Sequence, residues 1–172
     1  KNKELAENVY QRLDKSISDI VNLRRFVNAI IGHSEDLSSR KIDQQLLNDE
    51  ESYGLEAVIE LLTSLCFHSK NCRNNLLSIS NGDLIRSYFL LISSPVPASL
   101  KGKCFDALSV LTADEDKCTT IINIFRSSQI LTRESVEKGN KGIISDIDLI
   151  EGEEHAFPLA RSFVRFLSLL FK

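Results

Sequence analysis

The sequence repeats itself, and that narrows the possible fold more than any other feature. Sliding the chain by 46 residues sets Val58 on Cys104, Ile59 on Phe105, Glu60 on Asp106 and Leu62 on Leu108. The same offset sets Leu65 on Leu111, Cys72 on Cys118, Leu76 on Ile122 and Ile79 on Phe125. Core falls on core and acid on acid, through LEAVIELLTSLCFHSKNCRNNLLSIS and GKCFDALSVLTADEDKCTTIINIFRSS. The match fades after Leu131, so about two units are clear. Each unit reads as a pair of amphipathic helices, with apolar residues three and four apart. A unit of that kind buries its apolar faces only against its neighbours.

A helical repeat of about 40–47 residues is the period of HEAT and armadillo arrays. The stretch NNLLSISNGDLIRSYFLLISSPVPASLKGKCFDALSVLT has the armadillo cadence of a helix, a small-residue turn, and an apolar helix ending in Ser-Ser-Pro. Periodicity predicts helices over 54–68, 70–80, 82–93, 98–112, 114–129 and 156–171, with a weaker one near 143–150. The breaks have local causes. Pro95 and Pro97 lack a donor and restrict the residues before them, while Asn81-Gly82 and Gly139-Asn140 are turn pairs. No alternating strand pattern of useful length occurs. The expected fold class is all-α, an α-solenoid of HEAT/armadillo-like helical repeats.

Three regions follow from this pattern. Residues 1–32 read as a long amphipathic helix carrying Leu5, Val9, Leu13, Ile17, Ile20, Val21, Val27, Ile30 and Ile31, with Gly32 as its stop. Residues 33–52 read as a polar, serine-rich linker, with a short helical turn at Lys41 to Leu47. Residues 53–172 hold the repeats. The last helix is apolar on most sides: Leu159, Phe163, Phe166, Leu167 and Leu170 line one side, and Ala160, Val164 and Phe171 the next. Arg161, Arg165, Ser168 and Lys172 leave water one narrow stripe, so the chain reads as a piece of something larger.

Composition excludes several functions. A formal charge of −3 lacks the basic excess of a nucleic-acid-binding module, and no direct contact with nucleic acid is expected. No apolar run is long enough to span a bilayer, and no signal peptide is present. Cys66, Cys72, Cys104 and Cys118 form no C-x-x-C pair, and a core of this size needs no disulfide frame, so reduced thiols in a cytosolic or nuclear compartment are expected.

Candidate sites weigh towards structure. Asp146, Asp148, Glu151, Glu153 and Glu154 lack the ordered ligand spacing of a calcium loop and have no nearby nucleophile. They read as a solvated loop whose last carboxylates face a helix start at Pro158. Cys72 and Cys118 lie near helix starts, where a dipole lowers a thiol pKa, but their equivalent places in the repeat favour packing. His68 beside Cys66 and Cys72 hints at zinc without a fourth ligand. Arg24, Arg25, Lys101 and Lys103 read as solvated. No phosphate-binding glycine loop, nucleophile elbow or H-E-x-x-H motif occurs. No catalytic, cofactor or metal residue is assigned, and the chain is expected not to be an enzyme.

Three stretches resemble the large inner-ring scaffold nucleoporins of the nuclear pore complex: 55–79, 92–131 and, most distinctively, GIISDIDLIEGEEHAFPLARSFVRFLSLL at 142–170. The motif there is a glycine-led, acid-dotted segment, then Glu-Glu, an aromatic before Pro-Leu, and an Arg and Phe in the next turn. Its residues are Gly142, Asp146, Ile150, Glu153, Glu154, Phe157, Pro158, Leu159, Arg161 and Phe163. The resemblance implies a superhelical scaffold in the nuclear envelope that binds linker nucleoporins and adjacent scaffold subunits and so supports nucleocytoplasmic transport. It implies structural roles for the motif, with Glu154 pairing Arg161 or capping the helix, and Phe163 on the buried side. The alternative is an armadillo-type adaptor or transport receptor binding peptide segments. Such a groove favours rows of Asn and Trp, and Trp is absent.

Overall fold

The computed structural model describes residues 23–39, 47–112, 115–128, 130–131, 143–154 and 157–171. All regular structure among them is helical. In chain order the helices are α1 (Leu23–Ser39), α2 (Asp49–His68), α3 (Lys70–Ser80), α4 (Asp83–Ser93), α5 (Ala98–Leu111) and α6 (Glu115–Ser127). A seventh, α7, is continuous through Ile143–Ser145, Asp146–Glu151 and Gly152–Glu154, and α8 is Pro158–Leu170. The fold is all-α and consistent with an α-solenoid.

Local chemistry sets most boundaries. Helix α2 opens on a capping box: Asn48 accepts from the Glu51 N–H, and the Glu51 carboxylate accepts from the Asn48 N–H. Ser69 ends α2 and caps α3 by accepting from the Cys72 N–H at 2.9 Å. Asn81 and Gly82 both take positive φ, 48° and 90°, and this pair turns α3 directly into α4. Pro97 precedes α5, and Pro158 occupies the first turn of α8, where no donor is needed from it.

Two boundaries differ from the sequence reading. Gly32 does not stop α1, which runs on to Ser39 because its buried face continues through Val27, Ile30, Ser34 and Leu37. A Cβ at Gly32 would meet nothing, and a glycine there costs about 1 kcal/mol of helix propensity. That is less than the burial gained beyond it. Residues 33–39 are therefore helix rather than linker, and α2 begins at Asp49 rather than Gly54 because the capping box lies upstream. The expected helix before Leu23, the turn at Lys41, Gly139-Asn140 and Gly142 lie outside the described residues.

Helices α2, α5 and α8 lie side by side, with α5 in the middle. They run parallel: Ser99 and Lys103 of α5 meet Glu56 and Glu60 of α2 in the same order along both helices. Gly102 abuts Pro158 and Leu159, while Phe105 meets Phe163 and Phe166 further along. Behind this layer α1 packs on α4, α4 packs on α5 and α6, and α3 bridges α1 and α2. Of the positions matched at the 46-residue offset, Ile59, Leu62, Leu76, Phe105 and Leu108 are at most 1 % exposed, while Val58, Leu65, Ile79 and Ile122 are only partly buried.

The layers meet in an aromatic knot. Phe166 lies 5.4 Å from Phe105, 5.8 Å from Phe125 and 6.4 Å from Phe89, between ring centroids. Phe163 is only partly buried, although its ring lies 5.0 Å from Phe105. Val164 and Phe171, expected on a covered side of α8, are 64 % and 66 % exposed. Phe166→Ala should cost about 3–5 kcal/mol in urea unfolding, and Phe163→Ala clearly less. Equal costs would mean that Phe163 anchors α8 as much as Phe166 does. Gly82→Ala should cost about 1–2 kcal/mol by the same measurement, from its positive φ alone.

Candidate functional site

The motif at 142–170 builds a buried polar lock. Within α7, Asp146–Glu151 winds as a π-helix, and the Gly152 N–H donates to the Ile147 carbonyl. This winding sends two carboxylates inward, with Asp146 3 % and Glu151 1 % exposed. Asp146 Oδ2 accepts from Lys101 Nζ of α5 at 2.5 Å, and both side chains are almost fully buried. Glu151 accepts from the Leu159 N–H at 2.5 Å and the Ala160 N–H at 3.0 Å, so its carboxylate caps α8. The helix start supplies free donors and a partial positive charge, both complementary to a carboxylate. The charges are paired and hydrogen-bonded, as burial demands.

Several expectations are corrected here. Lys101 is not solvated but wholly buried. It sits on the face of Cys104, Phe105 and Leu108, three, four and seven positions on, a signal readable in the sequence. The acidic set is not a solvated loop: Asp146 and Glu151 are buried, while Asp148 and Glu153 are exposed. The cap on α8 comes from Glu151; the Glu154 side chain lies outside the described residues. Leu159 is buried, Pro158 and Arg161 are exposed, and Phe163 packs against the core from its edge.

Outside the lock, α2, α5 and α8, together with Arg73 of α3 and Cys118 of α6, line a groove of about 740 Å³ that includes Phe67, Val110, Arg165 and Leu169. It runs on between the helices past Lys103, Asp106 and Arg161. Polar rungs cross its floor: Glu56 to Ser99 at 2.5 Å, Glu60 to Lys103 at 2.9 Å, and Asp106 to Arg165 at 4.0 Å. Glu60 and Asp106 are equivalent in the repeat, and each reaches a base on the next helix of the layer. At the rim, Phe67 is 60 % exposed, edge-on to His68 at 5.0 Å between centroids. Sequence reasoning did not single out Phe67, because one aromatic at a helix end has no periodic partner.

The thiols are packed rather than activated. A hydrogen bond with Cys72 and then burial push the Cys66 thiol far above its ordinary value, and burial does the same to Cys104. Among the described residues no group of three His, Cys, Asp or Glu side chains is placed to hold a metal ion. No described helix is long and apolar enough to cross a membrane.

Two measurements check this site. Lys101→Met leaves Asp146 charged and buried alone, and should cost about 3–5 kcal/mol in urea unfolding. The double variant Lys101→Met/Asp146→Leu should recover most of that loss; additive losses would mean that the two side chains do not act as a pair. Alkylation of the native chain at neutral pH, followed by peptide mass mapping, should modify the partly exposed Cys118 well before Cys66 or Cys104.

A family model described as the nuclear pore complex scaffold, nucleoporins 186/192/205, matches residues 3–172. Comparison with curated proteins gives no match. The family match spans nearly the whole chain, including both repeat units, the groove and the lock. The chain therefore belongs to the 186/192/205 family of nucleoporins, structural scaffold proteins of the nuclear pore complex in the nuclear envelope.

Proposed function

We propose that this segment is a structural unit of the inner ring, and that its α2–α5–α8 groove holds a short segment of a linker nucleoporin. The observation that carries this reading is the groove itself. The three parallel helices, with Arg73 of α3 beside them, build a concave surface with an exposed aromatic, Phe67, at its rim and an exposed arginine, Arg165, along it. Exposed aromatic and arginine side chains on a rigid concavity are the residue types that dominate binding energy at protein interfaces. Helical scaffolds take partner segments in such grooves by inserting a few apolar anchors. The stack runs on from the start of α2 at Asp49 as HEAT/armadillo-like repeats, with α2 and α5 as equivalent helices of successive units. The segment supplies shape and contacts to its neighbours and performs no catalysis.

A photo-crosslinking residue at the exposed groove position Ser168 in the full-length protein, expressed in cells, tests the reading. The expected products join this position to linker segments of other nucleoporins. Crosslinks from Tyr53 but none from Ser168 would move the binding surface to another face. Phe67→Glu should weaken binding of the captured segment by about 2 kcal/mol or more, with unfolding unchanged.

A further inference from the structure

We propose that the π-turn at Asp146–Glu151 is a register lock, wound against the α-helical preference of its residues by its two buried carboxylates. An α-helix turns about 100° per residue, so residues five apart diverge by about 140°. A π-turn takes its hydrogen bonds five residues on, is wound more loosely than an α-helix and so brings such residues much closer to one face. Asp146 and Glu151 are five apart and bound the turn. Each has a separate partner: Lys101 on α5 for Asp146, and the first N–H groups of α8 for Glu151. Between them Asp148 is exposed. In an α-helical winding one of the two carboxylates would swing away, leaving Lys101 buried without its counter-charge or α8 without its cap. Both losses are heavier than the poorer hydrogen-bond geometry of one π-turn. The turn is flanked on both sides by ordinary α-helix, at Ile143–Ser145 and Gly152–Glu154, so the departure is confined to the segment between the two acids.

The lock also transmits. Its Glu151 end fixes the start of α8, and α8 carries Arg165 and Leu169 into the groove wall. Loss of either carboxylate rewinds α7, and loss of Glu151 also leaves the start of α8 uncapped. The inference about winding stands on the buried contacts alone and holds whatever the groove binds.

The acceptor of the Gly152 N–H reports the winding directly, through hydrogen-bond scalar couplings in labelled protein. In the native chain it is the Ile147 carbonyl. Glu151→Ala removes the demand to face inward and favours the α-helix, so the acceptor should move to the Asp148 carbonyl while couplings in α1–α4 stay unchanged. Asp148→Ala, on the exposed side, should leave the Ile147 acceptor in place. If Glu151→Ala does not fold, Lys101→Met/Asp146→Ala provides the second test and should show the same move. Persistence of the Ile147 acceptor in a folded variant of either kind would overturn the proposal. So would an equal move in Asp148→Ala, because the winding would then answer to any change in the segment.

Discussion

Helix α5 has almost no solvent side, and the rest of the structure is arranged around that constraint. Ten of its fourteen residues are buried, so every flank needs a neighbour: α2 on one side, α8 on the other and α4 behind. Removing Leu100, Phe105 and Leu108 from water contributes about 1.5–3 kcal/mol each. Burial on all sides also drags Lys101 inside, and an ammonium group there must be answered by a negative charge. Asp146 answers it. The helix that carries Asp146 is then fixed in place, and its second carboxylate fixes the start of α8. A single unavoidable charge thus determines where two later helices lie.

The exposed rungs act differently. Glu60–Lys103 and Asp106–Arg165 are solvated pairs, and such pairs contribute about 0–1 kcal/mol each. They add little stability, and each joins a pair of neighbouring parallel helices at the surface of the layer. The equivalence of Glu60 and Asp106 across the repeat acquires a physical meaning here. The sequence conserves between its two units not only which positions are buried but also which position reaches forward to the next helix.

Much of this was legible in the residues. Pro97 and Pro158, Asn81-Gly82 and the apolar periods located α3 to α6 and α8 to within one or two residues, since each signal acts locally. The early start of α2 was also written in Asn48 and Glu51, which a polar, serine-rich setting disguised. The lock was not legible as such. A search at the helical period discards acids five apart, because only a π-turn puts them on one face. The buried face places Lys101 inward, but that Asp146 answers its charge depends on α7 lying over α5, a contact 45 positions away in the chain. Phe163 and Phe166 look alike in the sequence, and both rings meet Phe105 and Phe125; the further contact with Phe89 and full burial set Phe166 apart.

A buried ion pair is weak support for stability, since well-packed apolar side chains of similar volume do as well or better. What Lys101, Asp146 and Glu151 contribute is a choice among packings. The knot of Phe89, Phe105, Phe125 and Phe166 is apolar throughout, and apolar surfaces alone admit neighbouring registers at small cost. A charge pair and a carboxylate cap admit one, because each misplacement strands a charge in the core. In a stacked fold that discrimination has consequences beyond the helix that makes it. Each helix sets the angle of the next, so an error at α8 passes to everything packed against it. A scaffold holds partners at fixed spacing, and the polar lock lies where the stack turns from α5 to α8.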